Sequence, residues 1–171
     1  TVSENYQRLV AQTLAGVYET SNNAKTVEQL REELIADEGC KYTVYKDHLG
    51  LETLGIGHLI TQQDPEFGQP VGTPVSEQRV HQAFNLDILV TIEDCRRLYP
   101  EWDTLPEEVQ HIVANMMFNL GYPRLSKFVG MWKAVRSGEW QKAADEMVDS
   151  KWYYQVPNRA ERLVQRMRSI P

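Results

Sequence analysis

Two acidic side chains and a hydroxyl lie close together in one part of the sequence, the stretch LIADEGCKYTVYKDHLGLETLGIGHLIT. Glu38 stands at the end of a predicted helix, Asp47 at the mouth of a predicted hairpin, and Thr53 on the returning strand. A partly buried carboxylic acid keeps its proton near neutral pH, whereas a wetter one ionises. Such a pair can break a glycosidic bond, because one group protonates the leaving oxygen and the other activates water. The stretch therefore predicts Glu38 as the acid, Asp47 as the base and Thr53 as the hydroxyl that holds the water.

The same residues are also ordinary at a protein surface, where charged side chains are common at helix ends and turns. The chain between Glu38 and Asp47 can span up to about 30 Å, so the sequence spacing leaves open whether the two acids meet. The elements that carry them must bring them together for this chemistry to work.

Hydrophobic periodicity predicts those elements. Apolar residues that recur every three or four positions between capping and stop signals predict helices, and two short runs around Gly50 predict strands. The segment TSNNAK is expected to separate the first two helices, with Thr26 opening the second in a capping box. The predicted helices cover 3–19, 26–38, 76–99, 109–120, 126–138, 140–149 and 157–169, and the predicted strands cover 41–46 and 53–58, with room for a third strand.

Together these elements predict a mainly helical α+β fold. Residues 1–25 are expected to form an N-terminal helical extension, and residues 26–171 the domain itself. The domain is expected to have a small antiparallel sheet lobe at about 38–75 and a helical lobe at about 100–171 that includes helix 27–38. A long helix at about 76–99 would join the lobes, with a ligand-binding cleft between them.

Composition and charge exclude several classes of function. The net charge is −6 and no nucleic-acid motif is present, so nucleic acid is not an expected partner. The apolar runs are too short to span a membrane, and the start of the chain lacks the features of a signal peptide. Cys40 and Cys95 are too few for a zinc site or a disulfide scaffold, and buried free thiols are expected rather than a bridge between them. No cofactor is expected.

A series of short strings resembles a known family. DEG, VYKD and GIGHLIT are followed in order by FNLD, NMMFNLG, EWQKAA and SKWYYQVPNRAERL. From about Leu30 to Ile170 the chain resembles the T-even phage type lysozymes, N-acetylmuramidases that cut the β-1,4 bond between N-acetylmuramic acid and N-acetylglucosamine in bacterial peptidoglycan. The resemblance implies a lysozyme-like fold, Glu38 as general acid, Asp47 as the carboxylate that activates water and Thr53 as its partner. It also implies inversion at the anomeric carbon, for which the two carboxyl groups should lie roughly 6.5 to 9.5 Å apart.

The resemblance also implies supporting residues. Arg159 matches an arginine placed against the catalytic glutamate, where it would orient Glu38. His58 matches a histidine that pairs with an aspartate on the long helix, here Asp87. A zinc site formed by His58, Asp87 and His81 is the weaker alternative, since no third ligand has convincing spacing.

Sugar binding is expected at Leu59, Phe118 and Asn119, which match residues that line the family's cleft, although Phe118 could equally belong to the core. Trp140 and Trp152 match tryptophans that pack inside the helical lobe. They are therefore expected in the core.

The chain departs from the family pattern in its added residues 1–25, a shorter loop at 62–74, a shortened C-terminal segment and an acidic net charge. These differences leave several roles open: an endolysin that passes from the host cytoplasm to the periplasm, a virion-associated tail component, or a lysozyme acquired by a host. A monomer is expected, or a domain of a larger protein. A lytic transglycosylase and an inactive wall-binding or virion structural module are the alternatives. The former would need neither Asp47 nor Thr53.

Overall fold

A computed structural model of the protein describes residues 21–171, with side chains from Val27 onward. The predicted helix over 3–19 lies outside the described residues, as does most of the predicted extension. The described chain is mainly helical and contains one three-stranded antiparallel sheet, which confirms the predicted α+β class. It divides into two compact units, with the boundary between Val90 and Thr91.

In the first unit, helix α1 (Ser21–Glu38) precedes the sheet. The expected break at TSNNAK and the cap at Thr26 are wrong, because residues 21–26 are already helical. Serine, asparagine and lysine each cost a helix only up to about 0.7 kcal/mol relative to alanine, so a short polar segment need not end it. Val27, Leu30 and Leu34 form the buried stripe of α1, spaced as an amphipathic helix requires.

The sheet places alternate residues on opposite faces. Strands β1 (Lys41–Lys46), β2 (Glu52–Gly55) and β3 (His58–Leu59) pair in sequence order. One row across the sheet consists of Val44, Leu54 and His58, which are all buried; the adjacent row consists of Tyr45, Thr53 and Leu59. The predicted second strand therefore ends early, because the chain turns between β2 and β3.

Helix α2 (Glu77–Leu98), as expected from its long apolar pattern, contributes residues to both units. In the second unit a short 3-10 helix (Trp102–Thr104) precedes α3 (Glu107–Leu120), which is buried around most of its circumference. The remaining helices are α4 (Tyr122–Leu125), α5 (Val129–Arg136), α6 (Trp140–Val148), α7 (Lys151–Gln155) and α8 (Pro157–Arg168).

Two short helices were missed by the sequence reasoning. The helix expected from Ser126 begins only at Val129, because α4 occupies the preceding residues and ends at Leu125. Helix α7 begins after Ser150, whose hydroxyl accepts a hydrogen bond from the Tyr153 amide. Helices this short show almost no apolar periodicity, so local capping is the main sequence signal for them.

The predicted tryptophan and cysteine environments are partly right. Trp152 is fully buried, whereas Trp140 is only half-buried. Both cysteines are free thiols; Cys95 is buried as expected, but the expectation fails for Cys40, which is exposed where the chain leaves α1. Among the helices of residues 21–171, none combines the length and apolar character needed to cross a membrane.

The buried stripe of α1 should dominate that helix's contribution to stability. Leu34 is fully buried and its neighbour Ile35 is 38% exposed. We expect Leu34→Ala to lower the free energy of unfolding by about 2–5 kcal/mol, since it removes buried methyl groups and leaves a cavity. Ile35→Ala, the matched control, should cost less than about 1.5 kcal/mol. Urea unfolding followed by circular dichroism tests this, and equal losses for the two variants would contradict the packing described.

Candidate active site

Glu38 is the last residue of α1 and is half-buried. Its carboxyl group lies directly against the backbone of Gly57, in the turn between β2 and β3: a methyl group added at Gly57 would lie 2.7 Å from Oε2 and 2.9 Å from Cδ. Real atoms do not approach so closely, so a side chain at position 57 would displace this carboxyl group. The helix end and the turn together therefore define where the predicted acid lies.

Asp47 follows β1 directly and organises the hairpin with its own side chain. Its Oδ1 accepts hydrogen bonds from the amides of Leu49 and Leu51, each 2.9 Å long. Its backbone amide also donates to the Leu51 carbonyl at 2.9 Å, and its carbonyl accepts from Gly50. The turn thus fixes the orientation of the carboxylate through Oδ1. Because both side-chain hydrogen bonds use Oδ1, Oδ2 can accept a hydrogen bond from a further donor.

Thr53 is buried on β2, and its hydroxyl donates to the Leu51 carbonyl at 2.9 Å. With its proton used in this way, the hydroxyl oxygen can accept a hydrogen bond from a water molecule. Leu51 therefore connects Asp47 and Thr53, because its amide binds one and its carbonyl binds the other. Leu59, the residue opposite Thr53 on β3, is 48% exposed and available to a ligand.

Tyr45 was missed by the sequence reasoning, although it lies on the strand face that alternation assigns to Asp47, two residues later. Its hydroxyl donates weakly to the Gly55 carbonyl at 3.4 Å. Burial raises the pKa of this phenol, and the negative charges of Glu38 and Asp47 raise it further, against the opposing effect of a hydrogen bond with the Gly57 backbone. The Glu38 carboxyl group and the Tyr45 hydroxyl therefore both border the turn at Gly55 and Gly57, and Asp47 follows on the strand face of Tyr45. The joint action of Glu38 and Asp47 stays a prediction.

His58 is held by two carboxylates. Its Nδ1 lies 2.7 Å from Asp87 Oδ2, as the resemblance implies, and its Nε2 lies 3.0 Å from Asp64, a partner not foreseen from the sequence. Arg79 on α2 continues the network to Asp64 at 2.9 Å and to Glu66 at 2.8 Å. Residues of the loop after β3 are therefore tied to the long helix by charge-assisted hydrogen bonds.

This network raises the pKa of His58. Burial alone would lower it, but the hydrogen bonds and negative charges of Asp87 and Asp64 outweigh burial. Burial would likewise raise the pKa of Asp64, yet its bond from the Thr61 amide and its contacts with His58 and Arg79 hold it below its usual value. Both ring nitrogens of His58 thus lie within hydrogen-bonding distance of a carboxylate, which favours the protonated ring.

The same contacts argue against the zinc alternative. Both nitrogens of His58 are engaged by carboxylates, and His81 pairs instead with Glu77 on an exposed part of α2 at 3.7 Å. Within residues 21–171 no group of three or more histidine, cysteine or acidic side chains is arranged to hold a metal ion.

The other predicted residues belong to the second unit. Phe118 and Asn119 are half-buried on α3, and Asn119 Oδ1 accepts a 2.8 Å hydrogen bond from the indole of Trp152. This bond directs the amide NH₂ of Asn119 to other acceptors. Arg159 is buried at the start of α8 and donates to Asn115 Oδ1 at 2.8 Å. Its pairing with Glu38 stays a prediction.

The second unit also contains a cavity of about 550 Å³ with charged groups of both signs. Trp152 and Leu120 form part of its wall, and its charged lining consists of Arg124, Lys127, Lys151, Glu146 and Asp149. This lining suits a ligand that carries both charges better than an apolar one.

Residues 36–169 match the family model described as phage lysozyme, a range that includes all nine predicted site residues. The chain belongs to the phage lysozyme family. It is 31% identical over 157 aligned positions to the probable T4-type lysozyme 2 of Dictyostelium discoideum, and the match covers 81% of this chain and 92% of that protein.

Two other relatives of the lysozyme chain are much longer proteins. The pre-baseplate central spike protein Gp5 of Enterobacteria phage T4 is 30% identical over 78% of this chain, but the match spans only 26% of the spike protein. The peptidoglycan hydrolase gp36 of Pseudomonas phage phiKMV is 28% identical over 80% of this chain and 15% of its own length. The same kind of domain thus occurs both nearly alone and as a small part of larger proteins.

The His58 network should make the stability of the protein depend on pH. Because the folded-state pKa of His58 is raised, its stabilisation is complete below the unfolded value of about 6.5 and is lost as pH rises through the folded value. His58→Asn should therefore lower the free energy of unfolding by about 3–5 kcal/mol at pH 5.5, where a charged pair is broken. The loss should be clearly smaller at pH 9.

Urea unfolding at the two pH values measures this difference. His81→Asn is the control, since the partly exposed His81 makes only a long contact with Glu77. An equal cost of His58→Asn at both pH values would show that the histidine is not charged in the folded protein.

Proposed function

We propose that the chain is a muramidase that hydrolyses the β-1,4 bond between N-acetylmuramic acid and N-acetylglucosamine in bacterial peptidoglycan. The observation that carries the proposal is that the Glu38 carboxyl group lies against Gly57, in the turn that follows the strand of Thr53, while Thr53 is tied to Asp47 through Leu51. Family membership adds support, because one relative is named a peptidoglycan hydrolase and another a T4-type lysozyme.

In the proposed reaction Glu38 gives its proton to the glycosidic oxygen as the bond to the anomeric carbon breaks. Asp47 takes a proton from a water molecule held with Thr53, and the water oxygen attacks the anomeric carbon from the opposite face. The products are a reducing sugar of inverted configuration and a free hydroxyl on the leaving sugar. Glu38 ends ionised and Asp47 protonated, and exchange with solvent restores both.

We assign substrate contacts to Leu59, Phe118 and Asn119. Leu59 offers an exposed apolar surface beside Thr53, and the amide of Asn119, oriented by Trp152, can donate to a sugar or amide oxygen. The mixed charge of the cavity in the second unit suits the amino and carboxyl groups of peptidoglycan peptides. Arg159 is proposed to orient the carboxyl group of Glu38.

Two modes of delivery fit the relatives. The domain proposed for residues 26–171 acts either as a monomeric endolysin that reaches the wall from the host cytoplasm, or as a module of a virion protein comparable to the T4 spike. The net charge of −6 gives little long-range attraction to an anionic wall. Attachment to a larger assembly would compensate by raising the effective concentration of the domain at the wall.

Substitution of the carboxylates tests the function directly. Glu38→Gln and Asp47→Asn should each reduce the rate of peptidoglycan digestion by about 10² to 10⁴, since each removes one proton transfer. Asn retains an oxygen for the amides of Leu49 and Leu51, so the hairpin should persist. Glu32→Gln, on the exposed side of α1, should retain full activity. Reducing ends released over time give the rates, and a wild-type rate in either site variant would refute its assigned role.

The products distinguish the alternatives. Mass spectrometry should show reducing ends; anhydro sugars would instead indicate a lytic transglycosylase, and binding without products would indicate an inactive wall-binding module.

Stereochemistry tests the water-mediated step separately. Proton NMR of the first products should show the α anomer before mutarotation, because a single displacement inverts the β linkage. A β anomer formed first would mean that Asp47 acts as a nucleophile.

A further inference from the structure

Of the six glycines with a left-handed backbone in the described part of the first unit, three have informative surroundings. Gly55, Gly57 and Gly68 have φ values of +59°, +63° and +82°. A methyl group at Gly55 would meet Val80 at 2.7 Å, and one at Gly68 would meet no heavy atom within 4 Å. At Gly57 the methyl group would meet the carboxyl group of Glu38. Gly57 is therefore the glycine whose missing side chain gives room to the proposed acid.

Tyr45 also contacts the turn that contains Gly57. The phenol hydroxyl donates to the Gly55 carbonyl at 3.4 Å and also interacts with the Gly57 backbone. Tyr45 stands opposite Thr53 in the register of β1 and β2, so its side chain shares a sheet face with that of Thr53. One side chain thus connects the turn beneath Glu38 to the strand that carries Thr53.

We propose that Gly57 and Tyr45 are positioning residues for the reaction: Gly57 sets the place of the Glu38 carboxyl group, and Tyr45 holds the turn that carries Gly57. Neither residue transfers a proton. Both act through the geometry of Glu38, and the assignment rests on the proposed hydrolysis. Misplacement of a catalytic group by about 1 Å can cost about 10² in rate, so the effect should appear in kcat.

The first comparison is Gly57→Ala against Gly68→Ala. Both alanines adopt an unfavourable left-handed backbone, but only the one at position 57 displaces the carboxyl group of Glu38. With soluble peptidoglycan fragments as substrate, Gly57→Ala should lower kcat at least about tenfold and leave KM within about threefold, while Gly68→Ala retains the wild-type kcat. A wild-type kcat in Gly57→Ala, or an equal loss in Gly68→Ala, would overturn the proposal for Gly57.

The second comparison is Tyr45→Phe against Tyr42→Phe, on the same strand. Each change removes one hydroxyl and leaves the ring, so folding should persist in both. Tyr45→Phe should lower kcat about three- to tenfold with little change in KM, whereas Tyr42→Phe should retain the wild-type kcat. An unchanged kcat in Tyr45→Phe would exclude Tyr45 as a positioning residue.

A double-mutant cycle separates positioning from general weakening of the fold. Glu38→Asp withdraws the carboxyl group from Gly57 by one methylene. It should therefore lower kcat by a smaller factor in the Gly57→Ala background than in the wild type. Losses that simply multiply would show that the two residues act independently, and the proposal for Gly57 would fail.

A measurement without substrate keeps this inference distinct from the proposed function. If the wild type releases no product, the function is refuted, but the contact with Gly57 can still be read from the ¹³C carboxyl signal of Glu38, assigned by its loss in Glu38→Gln. That signal should shift in Gly57→Ala and in Tyr45→Phe and stay unchanged in Gly68→Ala. An unshifted signal in Gly57→Ala would overturn the inference whatever the activity of the wild type.

Discussion

The register of the small sheet is the constraint on which the rest of the first unit depends. One row of side chains, Val44, Leu54 and His58, is buried, and the next row, Tyr45, Thr53 and Leu59, carries the proposed chemistry. A slip of one residue would exchange the two faces and turn the apolar row away from the core. A three-stranded sheet is too small to enforce its own register, so other contacts must do so.

Two sets of side-chain hydrogen bonds fix that register, one at the hairpin and one at β3. At the hairpin, Asp47 Oδ1 binds the amides of Leu49 and Leu51, which sets the turn between β1 and β2. At β3, His58 is clamped between Asp64 and Asp87. Removing His58 would leave two partly buried carboxylates facing each other, which is far more costly than losing an exposed ion pair.

The sequence predicted the long elements well because their periodicity is strong. Helices α2 and α3 have many apolar residues in phase, and their predicted limits agree with the structure to within two residues. The start of α1 was missed because a weak polar segment was read as a break. The resemblance supplied Glu38, Asp47 and Thr53, but Tyr45, the Leu51 peptide group and the contact of Gly57 with Glu38 were not foreseen. Their importance arises from contacts across turns, and neither composition nor periodicity encodes which backbone group a side chain will meet.

The proposed catalytic groups all stand at the ends of elements: Glu38 at the end of α1, Asp47 after β1 and Thr53 near the start of β2. Element ends carry backbone groups without partners inside the element, and side chains placed there can bind them. Asp47 does this with one carboxylate oxygen, so the bond that shapes the turn also limits the rotation of the group that would activate water. Structure and proposed chemistry are thereby coupled in one side chain, and a substitution there must preserve the acceptor before its kinetic effect can be assigned to the lost charge.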